Sequence, residues 1–147
     1  MQKTILLAAL LLLSASLFGQ HTFHKKFQGG GFFSTTPIST GGVLGSGAQG
    51  QQFTSPHGLL VQLGEDGEVI WRKRYPALNF IRQAIEADNG WVVVGDSTRP
   101  TGSVPRPRYT VIAKLDILGN VIWSKKIGNE LESSLPDRLI KVPDGYL

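Results

Sequence analysis

An aromatic residue followed by basic residues and a further apolar residue occurs three times in this chain. The copies are Phe23-His24-Lys25-Lys26-Phe27, Trp71-Arg72-Lys73-Arg74-Tyr75 and Trp123-Ser124-Lys125-Lys126-Ile127, spaced by 48 and 52 residues. The segments before the two tryptophans also match. Leu59-Leu60-Val61-Gln62-Leu63 corresponds to Val111-Ile112-Ala113-Lys114-Leu115, and Asp66-Gly67-Glu68-Val69-Ile70-Trp71 to Leu118-Gly119-Asn120-Val121-Ile122-Trp123. A third anchor recurs as Phe80 and Ile85 before Asp88-Asn89-Gly90-Trp91, and as Leu135 and Ile140 before Pro143-Asp144-Gly145-Tyr146. A weaker copy has Phe33 and Ile38 before Thr40-Gly41-Gly42. Anchors repeating in one order at a period near fifty residues mark a chain built by stacking one supersecondary unit.

Each unit predicts four short strands and no helix. In the clearest copy these are Phe80–Ala87, Trp91–Gly95, Tyr109–Leu115 and Val121–Ile127. The segments are rich in Val, Ile, Trp and Tyr, which suit a pleated, packed surface. Asp88-Asn89-Gly90 and Asp116-Ile117-Leu118-Gly119-Asn120 supply residues that tolerate positive φ in tight turns. The 18 glycines and 8 prolines fit many turns between short strands. Trp91-Val92-Val93-Val94 and Val121-Ile122-Trp123 do not alternate with polar residues, so both strands are expected to be covered on both faces. Radial or stacked sheets give that burial.

The first nineteen residues read as an export signal. Lys3 lies in a short n-region, Ile5–Leu13 is unbroken apolar chain, and Ser14, Ala15 and Ser16 open a cleavage zone ending near Gly19. This is the secretory pattern, and the apolar run is shorter than the about 20 residues a bilayer span needs. Export to the cell envelope or medium follows, with no transmembrane segment after cleavage. The chain has no cysteine, which excludes disulfides, thiol metal sites and a lipid-modified cysteine. The net charge of +4 is scattered and not gathered into a basic stripe, which argues against nucleic acid as a partner.

Laid out this way, the chain resembles the β-propeller repeats of secreted Bacteroidetes-type proteins. Lys114-Leu115-Asp116-Ile117-Leu118-Gly119-Asn120-Val121-Ile122-Trp123-Ser124-Lys125 is similar to their Lys-Leu-Asp-x-x-Gly-Asn-x-x-Trp-x-Lys stretch, and Asp144-Gly145-Tyr146 to their Asp-Gly-Gly-Tyr turn. The copy at Gln62–Lys73 departs, with Gly64 where the motif has Asp. A more distant likeness is to quinoprotein propellers. The resemblance implies an all-β fold of four-stranded antiparallel blades. Its expected organisation is a signal peptide over 1–19 and a partial propeller over 20–147. The parts are a closing strand at 23–27, blades at 32–75 and 80–127, and the start of another at 135–147. Because propellers take four to eight blades, about two blades with partial strands at each end read as the front portion of a longer propeller.

The candidate chemistry is sparse. His21, His24 and His57 lack metal-cluster spacing. The turn aspartates Asp66, Asp88, Asp116 and Asp144 could serve calcium or carboxylate chemistry, but their recurrence fits side chains bonding their own turns. Trp71, Trp91 and Trp123 recur as core, and the glycine runs lack a P-loop ending. No catalytic, cofactor or metal residue is therefore assigned. The loop Asp96–Arg108 differs from its counterpart and carries Arg99, Arg106 and Arg108 among three prolines. Guanidinium groups grip carboxylates, so these three arginines form the candidate interaction loop. The expected function is an exported, non-enzymatic scaffold binding an extracellular protein or glycan. The alternatives are the front of a propeller enzyme, quinoprotein-like or glycan-acting, and a non-functional remnant.

Overall fold

A computed structural model describes residues 27–28, 30–50, 56–98, 108–128 and 135–146. The expected signal peptide and most of the strand at 23–27 lie outside these. The described chain is all-β. Strands β1 (Gly30–Pro37), β2 (Val43–Gln49), β3 (His57–Leu63) and β4 (Val69–Tyr75) form one antiparallel meander. A second contains β5 (Phe80–Ala87), β6 (Gly90–Thr98), β7 (Arg108–Leu115) and β8 (Val121–Ile127). A short hairpin of β9 (Lys141–Val142) and β10 (Gly145–Tyr146) follows. No helix among the described residues is long and apolar enough to cross a membrane.

The two four-stranded sheets repeat down to their irregularities. A bulge sets Phe33 out of the β1–β2 ladder, and one at the same place sets Arg82 out of β5–β6. Ile70 and Ile122 are displaced in the same way from the third ladder of each sheet. Bulges re-aim side chains and add local twist, so their recurrence means that both sheets bend at the same points. The β1–β2 connection is longer than the turn at Asp88-Asn89. By strand pairing, Ile38 therefore stands opposite the place of Ala87 and not Ile85, two residues from the equivalence the sequence suggested.

The main core lies between the sheets. Leu44, Leu60 and Tyr75 from the first meet Ala84, Trp91, Val93, Val111, Ala113 and Leu115 from the second. The same contact is made again on either side. Phe27 packs on Leu59, Val61 and Leu63, as Tyr75 does on Val111, Ala113 and Leu115. Leu139 and Tyr146 pack on Val92, Val94 and Ile112, as Ala84 and Trp91 do on Leu44 and Leu60. Even a polar contact at the rim recurs with its chemistry exchanged. Ser39 donates its N–H and hydroxyl to Glu86 at 2.8 and 2.6 Å, while at the corresponding positions Lys141 faces Asp88 at 3.7 Å.

One burial expectation is overturned. Strand β6 is buried from Gly90 to Asp96, but β8 is exposed along its whole length. The non-alternating Val121-Ile122-Trp123 reflects the bulge at Ile122, which takes one residue out of the pleat without any covering layer.

Candidate functional site

A repeating frame supplies its own test for a site: frame residues recur, and residues that break the recurrence need another reason to be there. The most conspicuous break lies at one end of the second sheet. Asp96, on β6, is fully buried and pairs with Thr110 on β7. The bulge at Arg82 turns that side chain toward it, with Nε 3.3 Å from Oδ1. Arg108, the first residue of β7, brings Nη1 to 3.6 Å from Oδ2. The positions corresponding to Arg82, Asp96 and Arg108 in the first sheet hold Phe33, Ala48 and Pro56.

Aromatic rings fix the guanidinium groups from the other side. Arg82 lies 5.1 Å from the Phe33 ring centroid and 5.3 Å from that of Phe80. Arg108 lies 5.7 Å from Phe80, and the two rings meet edge to face at 5.7 Å. Such stacking orients a planar cation and contributes about 0.5–1 kcal/mol at partly exposed sites. Beside the rings, Gly31, Phe33, Ala48, Pro56 and Phe80 line a cleft of about 260 Å³.

Burial pushes the Asp96 carboxyl above the ordinary carboxylate range, and the charges of Arg82 and Arg108 oppose that shift. The 3.6 Å contact is an ion pair and too long for a good hydrogen bond. Asp96 Oδ2 has no hydrogen-bond donor among the described residues. One carboxylate is thus set against two cations whose side chains remain 28% and 36% exposed. This partly solvent-open pair of guanidinium groups can grip an anion. The carboxylate is sealed beneath it and is poorly placed to act on a substrate.

No family model, curated protein or solved structure matches this chain.

Of the three arginines singled out in the sequence, Arg108 belongs to this cluster, while Arg99 and Arg106 lie outside the described residues. Asp96 is a strand residue and not the first residue of a loop, because β6 runs on to Thr98. Asn79 helps to hold that extension, donating its N–H to the Asp96 carbonyl at 2.8 Å and its Nδ2 to Thr98 Oγ1 at 2.8 Å. Arg82 and Asp96 were missed as site residues. Their signal was available in the departure of each from its repeat partner, but reading it required the strand register.

Of the turn aspartates, Asp66 and Asp116 bond their own turns. Asp116 accepts from the N–H groups of Leu118 and Asn120 at 2.9 and 2.7 Å and from the Asn120 amide at 2.7 Å. Those bonds, Asn120's first, and the Lys73 charge hold its carboxyl below the usual range. In the first sheet, where Gly64 replaces that aspartate, Asp66 accepts from Glu68 N–H at 3.0 Å. Asp88 makes the rim ion pair with Lys141. His57 is the first residue of β3, whereas His21 and His24 lie outside the described residues. Among the described residues no three His, Cys, Asp or Glu side chains gather to hold a metal ion.

Proposed function

We propose that this chain is an exported, non-enzymatic scaffold of propeller-type blades. It binds an acidic extracellular partner at the sheet end marked by Arg82 and Arg108. The observation that carries the reading is a cationic, aromatic-backed cluster that breaks an otherwise repeating frame beside an open cleft. A binding group occurs once where a scaffold element occurs in every unit, and variable ends of a rigid frame are where specificity resides. The in-register recurrence of the intersheet contact supports blades stacked face to face. The neighbouring Arg99 and Arg106 extend the same cationic character along the chain.

The partner's recognised group is a carboxylate, which a guanidinium engages through paired N–H donors. Immobilised alginate, a polymer of uronic acids, provides the test. The protein is expected to bind it, with affinity falling as salt rises, and Arg108→Gln is expected to weaken binding several-fold. Arg74→Gln, the same charge change on the outer strand β4, should leave it nearly unchanged. Equal losses from both variants, or no binding, would overturn the assignment.

A further inference from the structure

The contact between the two sheets contains a clamp. From β4, Lys73 Nζ donates to the Leu118 carbonyl at 2.9 Å and bonds the Asn120 side-chain oxygen. Tyr75 donates its hydroxyl to the Gly119 carbonyl at 2.7 Å. Trp71 lies over Gly119, where a Cβ would come within 3.2 Å of the indole and 2.9 Å of the Tyr75 oxygen. Three alternate residues of one strand thus hold the β7–β8 turn of the next sheet by its backbone. The turn fits because Gly119 has a φ of 75° and no side chain.

Strand β8 presents the same arrangement, and none of the described residues fills it. Trp123, Lys125 and Ile127 occupy the register positions of Trp71, Lys73 and Tyr75. Trp123 is 46% exposed and Ile127 44%, whereas Trp71 is packed against the core and Tyr75 is buried. On the same side of the second sheet, Leu139 and Tyr146 already stand where Ala84 and Trp91 stand on the first. Among the described residues, coverage of this face therefore begins in register and stops short of β8.

We infer that Trp123, Lys125 and Ile127 form a docking surface for a further unit of the same repeat. That unit inserts a hairpin turn with a left-handed glycine followed by a side-chain acceptor. The inference rests on the stacked-blade reading above and is independent of the arginine site. The lysine requires carbonyl and amide acceptors, and the indole requires a residue without Cβ. Ile127 keeps the apolar contact of Tyr75 without its hydroxyl. A second copy of this chain is a poorer occupant, because its own Asp116–Asn120 turn is held by its own Lys73 and Tyr75, and beside its other left-handed turn glycine, Gly67, Phe27 already packs on β3 in the place of Tyr75.

The test replaces residues 135–147 by a second copy of Phe80–Ile127, following Ser134 directly. Tryptophans carry a 5-fluoro label, and Trp123 is assigned with Trp123→Phe. The Trp123 fluorine signal is expected to lose most of its relaxation by a soluble gadolinium chelate, and the melting temperature to rise by several degrees. Both effects should vanish when the added copy carries valine and alanine at the positions copied from Gly119 and Asn120. A Trp123 that stays as accessible as in the original chain overturns the inference. The melting temperature then separates the causes: a rise of several degrees means that units stack without the clamp, and no rise means that the stacked-blade reading has failed as well. Should the extended chain not fold, the internal clamp decides. Lys73→Met with Tyr75→Phe in the original chain must raise the accessibility of Trp71, and no change would overturn the inference. Dimerisation of the unaltered chain that hides Trp123 would assign the face to a second copy and overturn the choice of occupant.

Discussion

At Asp96 a charge is kept in a place that disfavours it. Burial raises the pKa of its carboxyl, and Arg82 and Arg108 recover only part of the loss. A carboxyl whose folded pKa lies above its unfolded value binds its proton more tightly in the native state. It therefore lowers stability as pH climbs from the ordinary value near 3.8 through the folded one. Asn is a permanent stand-in for the protonated form. In urea unfolding, the difference between the native chain and Asp96→Asn should move in favour of Asn between pH about 3.5 and about 7. Movement toward Asp would mean that the two guanidinium groups outweigh burial. At Tyr75, burial and then the Asp116 charge push the hydroxyl above the ordinary phenol range. That hydroxyl stays protonated and can donate to the turn at any pH where the fold persists.

Among the elements, the β7–β8 turn couples one sheet to the next. Its left-handed residue is Gly119, and any side chain there must displace Tyr75 or Trp71. Gly119→Ala is expected to lower stability by about 1–3 kcal/mol, the range for a non-glycine residue forced into such backbone with added crowding. Asn89 also has a positive φ, of 58°, but asparagine tolerates that region. Asn89→Gly should stay within about 0.5 kcal/mol of the native chain, and thermal melts of both variants check the contrast. Strand positions and turn chemistry were legible at this scale, because β-branched runs and Asp/Asn/Gly clusters act locally. The β6–β7 connection was harder to bound: Asp96, Ser97 and Thr98 look like loop residues, yet pairing with Thr110, Tyr109 and Arg108 makes them strand.

For the whole molecule, the consequence lies at the open side of β8. Val121, Ile122, Trp123 and Ile127 are exposed together on a strand that is the edge of its sheet among the described residues, a combination that invites edge-to-edge pairing. Ile122→Lys places a charge at the bulge without altering the clamp residues. It is expected to raise the concentration at which the purified chain begins to associate, as read by light scattering. Unchanged association would place the contact elsewhere. The sequence by itself determined the period, the strands of the two four-stranded units and most of their turns, since these follow from local propensity and recurrence, whereas Trp123, read as core from its recurrence, is exposed. Only the tertiary structure decided which non-alternating strand is covered, because burial depends on a neighbouring layer that no strand encodes. It also decided that Arg82 and Asp96 join Arg108. A bulge and a strand register bring together side chains separated in the chain, and charge alone does not specify that meeting.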